Sequence, residues 1–83
     1  MINNEFTVKL PTMNDIALFV AKCGKFEEDI FYTVGRYTVD AKSIMGVMST
    51  SFEKPATVRI ETENKRVIDT FMDEIALWTI GEY

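Results

Sequence analysis

The chain contains no histidine. That removes imidazole acid–base catalysis, histidine metal ligation and phosphohistidine chemistry together. It has one cysteine, so an internal disulfide and a CxxC pair are both excluded. Cys23 has no imidazole to activate it, and a single thiol fits a reducing compartment. With four glycines and two prolines, no glycine-rich phosphate loop is spelled out, and no EF-hand spacing occurs. A basic surplus is missing too: nine Lys and Arg stand against 13 Asp and Glu, for a net charge of −4. A surface that neutralises phosphates needs the opposite balance, so nucleic acid is not expected as a partner. No apolar run approaches the ~20 residues of a membrane span. "MINNEFTV" has neither the basic region nor the apolar core of a signal peptide. The expectation is a cytoplasmic protein with no membrane partner, no metal and no cofactor. The carboxylates Glu27, Glu28 and Asp29 read as a solvated cluster. The basic pairs Lys22 with Lys25 and Lys65 with Arg66 lie near carboxylates and read as solvated faces.

What is present is enough for a core. The 83 residues are 47% hydrophobic, which argues against disorder and for one small domain spanning 1–83. In "FTVKL" Phe6, Val8 and Leu10 alternate, predicting a half-buried strand that Pro11 ends. Thr12, Asn14 or Asp15 then caps a helix whose apolar stripe is Ile16, Phe19, Val20 and Cys23. Gly24 fits the left-handed stop position after it. Residues 29–34 and 37–40 are rich in β-branched and aromatic side chains, and Gly35-Arg36 between them suits a type II′ hairpin turn. Phe52 and Pro55 mark a turn region, and "ATVRIET" places Val58 and Ile60 on one side of a further strand. From Asn64 as cap, a helical stripe runs through Val67, Ile68, Phe71, Met72, Ile75 and Ala76 to Trp78 or Ile80, ending near Gly81. The order is βαββαβα. Amphipathic helices must bury their stripes, and the available partner is one face of a four-stranded antiparallel sheet. The predicted fold is therefore α+β, an open-faced β-sandwich with three helices on one face. The other face would carry Thr7, Lys9, Thr33, Thr57, Arg59 and Glu61.

The segment "AKSIMGVMST", residues 41–50, holds more apolar side chains than a short helix can bury. A helix over 43–50 puts Ile44, Val47 and Met48 on one side and leaves Met45 elsewhere. Exposed Met and Ile on such a helix suit a docking surface; packing under the neighbouring loop with Phe52 is the alternative. Ser43 is a favoured N-cap. The same hydroxyl is a candidate phosphorylation site: a phosphate there, beside Lys42, would place about two negative charges in the apolar patch and leave the fold intact.

Lys42 to Ser49, "KSIMGVMS", closely resembles the regulatory-serine segment of HPr, the phosphocarrier protein of the bacterial sugar phosphotransferase system. The resemblance extends through "ALFVAKCGKF", "DIFYTVGRYTV" and "ATVRIET", and HPr proteins have the same βαββαβα order. They carry an active histidine in the loop before the first helix, followed by an arginine and a proline. Here that loop is shortened, and Thr12, Met13 and Asn14 stand in its place. The resemblance therefore implies the fold without the phosphocarrier activity, because a threonine ester cannot pass its phosphate on as a phosphoramidate can.

What the resemblance does imply lies at Ser43, which matches the serine phosphorylated by HPr kinase. Lys42, Ile44, Met45 and Met48 match the family's docking surface for protein partners. Those partners include HPr kinase, phosphotransferase-system components and a catabolite-control transcription regulator. The glycine-rich turn that follows in HPr is replaced by Thr50 and Ser51, and a later turn glycine by Pro55. The expected function is a non-enzymatic regulatory or interaction domain related to sugar transport. Two alternatives stay open: a divergent phosphotransfer component using Thr12 or Cys23, and a structural or oligomeric module outside the pathway. The sequence leaves the partner and the oligomeric state undetermined.

Overall fold

The computed structural model describes residues 3–50 and 54–80. The elements follow in the order β1 (Glu5–Val8), α1 (Met13–Cys23), β2 (Ile30–Val34), β3 (Tyr37–Asp40), α2 (Ile44–Met48), β4 (Ala56–Ile60) and α3 (Lys65–Ile75). A 3-10 turn over Ala76–Trp78 continues α3. The strands form one four-stranded sheet in the order β1-β4-β2-β3, and every neighbouring pair is antiparallel. This is the open-faced α+β sandwich that the alternating strands and striped helices require.

Period-two alternation decides which face is covered. Phe6, Val8, Ile30, Tyr32, Val34, Ala56, Val58 and Ile60 all point to the helix side and are buried. Ile16, Phe19 and Cys23 of α1, Val47 of α2, and Ile68, Phe71 and Ile75 of α3 meet them from the other layer. Aromatic edges fill the centre: Phe19 lies edge-on to both Tyr32 and Trp78, with ring centroids 5.8 and 5.7 Å apart, a favoured aromatic geometry. On the open face Arg59 sits over the Phe31 ring at 5.4 Å and pairs with Glu61. Thr33 and Thr38 join hydroxyls across β2 and β3 at 2.9 Å. Lys22 and Lys25 both reach Glu74, at 3.2 and 3.6 Å, and Lys65 reaches Asp69 at 3.4 Å, so these basic residues are paired on the surface.

The hairpin turn has its glycine where the twist demands it. Val34 pairs with Tyr37; Gly35 has φ +59° and Arg36 has no positive φ. Positive φ at the first central residue alone is the type II′ pattern.

Several sequence expectations shift. Gly24 has φ −64°, so it extends the right-handed turn instead of stopping it; its N–H bonds the Val20 carbonyl, and the Lys25 N–H that of Lys22. The last helix does not run to 80. It tightens into the 3-10 turn after Ile75, which swings Trp78 into the core and leaves Met72, Ala76, Leu77 and Ile80 exposed. Thr79 then bridges Val8, and Lys9 N–H bonds the Trp78 carbonyl while Ile80 N–H bonds that of Thr7. Leu10, beyond the end of β1, is nonetheless fully buried. The stretch 43–50 contains five helical residues, Ile44–Met48. Phe52, Ser51 and Gly81, each given a role from sequence, lie outside the described residues.

Tyr32 is fully buried, and its hydroxyl has no hydrogen-bond partner among the described residues. Burial pushes its phenol pKa up. The Thr50 hydroxyl opposes this to a smaller extent, but it donates its own proton to the Val47 carbonyl at 2.7 Å and makes no hydrogen bond to the phenol. A buried unpaired hydroxyl is a cost of about 1–3 kcal/mol. Tyr32→Phe is therefore expected to unfold at equal or higher urea concentration than wild type. Phe71→Ala, which empties a site between Phe6 and Phe26, should lose about 3–5 kcal/mol in the same measurement.

Candidate functional site

Two loops carry the residues singled out from sequence, one heading α1 and one heading α2, and these two helices pack against each other. Thr12 is the N-cap of α1, chosen over Asn14 and Asp15. Its Oγ1 accepts from Asp15 N–H at 3.1 Å and donates to the Asp15 carboxylate at 2.6 Å. Asp15 also accepts the indole N–H of Trp78 at 2.9 Å. Both bonds favour the carboxylate, the one from Thr12 most strongly, and hold its pKa below the usual range. A concavity of about 410 Å³ opens beside this cap, lined by Lys9, Pro11, Asp15, Leu77, Trp78 and Ile80. Met13 and Asn14 are exposed on the first turn of α1. The loop thus has a hydroxyl committed to capping and an acid committed to an indole.

The second loop builds the apolar surface. Asp40 shapes the entry: its carboxylate accepts from Lys42 N–H at 2.9 Å and its carbonyl from Ser43 N–H at 3.0 Å. Ser43 is the N-cap of α2, and its Oγ accepts from Gly46 N–H at 3.1 Å. Val47 is the one fully buried residue of α2, and Met48 packs against the core from a half-buried position. Ile44, expected to share that inner side, is 43% exposed, and Met45 is 80% exposed. The two together form the outward apolar surface. The helix closes without glycine: the Ser49 and Thr50 hydroxyls donate to the Gly46 and Val47 carbonyls at 2.6 and 2.7 Å. These hydroxyls satisfy the last-turn acceptors that a glycine turn would otherwise serve.

Lys42 makes a contact that the sequence did not indicate. Its ammonium reaches the Phe26 carbonyl at 2.6 Å, tying the start of α2 to the exit of α1. That site was missed because the acceptor is a backbone atom with no residue signature. The Asp15–Trp78 bond was missed for a related reason, although a tryptophan in a core does call for an acceptor. Cys23 is fully buried. Desolvation pushes its thiol up to about 12, against a smaller opposing effect of Lys42, so the thiolate needed for nucleophilic chemistry is suppressed. The described residues contain no cluster of metal-ligating side chains, and no helix among them is long and apolar enough to cross a membrane.

The geometry agrees with the comparisons to known proteins. Residues 4–76 match the PTS-HPr family model, described as the PTS HPr component phosphorylation site. The chain is 36% identical over 66 residues to the HPr-like protein Crh of Halalkalibacterium halodurans, covering 76% of this chain and 79% of that one. Among solved structures it resembles HPr-C-His from Thermoanaerobacter tengcongensis, with a TM-score of 0.68 and 28% identity over 89% of this chain and 92% of that one. It also resembles the phosphocarrier protein HPr of Bacillus anthracis, with a TM-score of 0.62 and 26% identity over 86% and 94% of the two chains.

Asp15 sets a pH dependence whose sign is fixed. Its pKa is lowered in the folded state from 3.8, so its stabilisation is complete above that value and fades as pH falls through the folded-state value. Asp15→Asn should be less stable than wild type at neutral pH and should lose less stability below about pH 4, as read by urea midpoints across that range. Separately, Cys23 should resist iodoacetamide at pH 8 in the folded protein and react fully in denaturant.

Proposed function

The chain belongs to the HPr family, and from that premise we propose that it is a non-enzymatic regulatory module. It docks partner proteins through the outer side of α2 and is switched by phosphorylation of Ser43. The observation that carries this reading is the pairing of an exposed Met45 and Ile44 with a serine cap at the head of the same short helix. Met is unbranched and polarizable, and adapts to a partner's surface. Lys42 and Met48 flank the patch from half-buried positions. Ser43 lies outside the core, so a phosphate changes the charge of the surface by about −2 without disturbing the packing beneath it.

The degenerate loop at Thr12, Met13 and Asn14 supports the non-carrier half of the reading. A reversible phosphoryl carrier uses an imidazole nitrogen, and the chain has none. The Thr12 hydroxyl, already engaged with Asp15, would form only a stable ester. Cys23 is buried and held as the thiol. Partners that fit are those of the family: HPr kinase, components of the phosphotransferase system and a catabolite-control transcription regulator.

Incubation with an HPr kinase and ATP should add one phosphate, located at Ser43 by mass spectrometry and absent from Ser43→Ala. Label on Thr12 or Cys23, or none with a cognate kinase, would count against the switch. Met45→Asp should keep the wild-type unfolding free energy to within about 0.5 kcal/mol while weakening partner binding by about 10-fold or more. Unchanged binding would exclude the outer side of α2 as the docking surface.

A further inference from the structure

Tyr37 stands where a large aromatic side chain is normally covered. It opens β3 opposite Val34, and cross-strand partners share a face, so it points to the helix side of the sheet together with the buried Val34. No helix roofs it there. Helix α2 ends at Met48, and Tyr37 is left 73% exposed. Beside it lies a concavity of about 410 Å³ lined by Val34, Arg36, Tyr37, Ser49, Thr50 and Lys54. Arg36 and Lys54 bring two positive charges to this hollow in a chain of net charge −4. Lys22, Lys25, Arg59 and Lys65 each face a carboxylate, whereas Arg36 and Lys54 are in no ion pair among the described residues.

The hollow continues the outer side of α2. Ser49 keeps helical backbone angles, so Met45 and Ser49, four residues apart, are neighbours on one helical face. Both are exposed, and Ser49 lines the hollow with Tyr37. One surface therefore runs from Met45 past Ser49 to Tyr37 and ends between two cations. Ser43 lies at its other end, roughly 9 Å away at 1.5 Å per helical residue.

We propose that this hollow is a second anchor for the partner protein that docks on α2, and that it receives an Asp or Glu carboxylate carried beside an apolar residue that lies on Tyr37. This rests on the docking reading above. The carboxylate belongs to a protein and not to a free anion, because the hollow offers no fixed polar cradle. The Ser49 and Thr50 hydroxyls have their protons committed to the Gly46 and Val47 carbonyls, and the two cations sit on long stems. The tyrosine ring and the apolar surface leading to it hold the occupant; the charges select its sign. With phosphate on Ser43 the same surface becomes negative at one end and positive at the other. A partner must then present a cation and a carboxylate in matching order, which fixes its direction across α2.

The test uses HPr kinase with ATP as the probe. Wild type is compared with Arg36→Glu/Lys54→Glu, with Tyr37→Ser, and with Lys9→Glu/Arg66→Glu, which makes the same charge change beside two other hollows. All five positions are exposed, so the fold should persist. The Arg36/Lys54 variant is expected to raise KM about 10-fold or more with kcat within about twofold, the mark of lost binding alone. Added salt should narrow that gap, since exposed charges are screened, but should leave the rise in Tyr37→Ser. The Lys9/Arg66 control should keep its KM within about twofold of wild type. An unchanged KM in the Arg36/Lys54 variant, or an equal rise in the control, overturns the proposal. If wild type accepts no phosphate, the switch reading fails separately. The anchor is then decided without Ser43, from the amide shifts of Gly35, Arg36 and Tyr37 on adding the capped peptide acetyl-Glu-Leu-Glu-amide. Shifts in wild type that the Arg36/Lys54 variant lacks support it; no shift, or an equal shift with inorganic phosphate, overturns it.

Discussion

Burial of one face of a single sheet is the constraint from which the remaining arrangement follows. Eight side chains from three strands, Phe6 and Val8, Ile30, Tyr32 and Val34, and Ala56, Val58 and Ile60, point the same way and are buried. A sheet so divided has to be roofed, and α1 and α3 carry the apolar stripes that do it. At roughly 1.5–3 kcal/mol for each large buried side chain, this layer dominates the favourable energy. The short α2 contributes one fully buried residue, Val47, to the same layer. It is held by its ends, through the Ser43 cap, the Ser49 and Thr50 hydroxyls and the Lys42 reach to Phe26. A helix secured in this way can leave its outer apolar residues uncovered without loosening the core.

The two loops that head α1 and α2 have taken opposite courses. At α1 the hydroxyl and the acid at the helix start both have structural occupations: Thr12 caps, and Asp15 holds Thr12 and Trp78. At α2 the serine caps too, yet it stands beside exposed Met45 and Ile44 on a helix with no charged residue of its own. An introduced charge would therefore have no competing charge on that helix to offset it.

The fold was legible because its signals are periodic. Alternation in "FTVKL" and "ATVRIET", the stripe through Ile16, Phe19 and Cys23, and the Gly35-Arg36 turn each point to a single geometry. The misreadings occurred where tertiary contacts overrode local pattern. Trp78 continues a helical stripe on paper, but the Asp15 carboxylate and the edge of Phe19 draw it inward and the helix tightens to allow it. Gly24 looks like a left-handed stop, yet its N–H is satisfied by the Val20 carbonyl without that conformation. At the site, Ser43, Ile44 and Met45 were readable as a cap and two apolar residues too many. The Lys42–Phe26 bond was not, since its acceptor is a backbone atom of another part of the chain.

The strap formed by Thr79 and Ile80 has a topological consequence. Ile80 N–H to the Thr7 carbonyl and Lys9 N–H to that of Trp78 occupy part of the outer edge of β1, one of the two borders of the sheet, the other being β3. Filament growth by strand addition requires a donor edge and an acceptor edge on every copy. Each N–H and C=O of β1 that the strap engages is withdrawn from that kind of pairing. A small, apolar-rich sheet strapped in this way has fewer free edge groups through which copies could add in series.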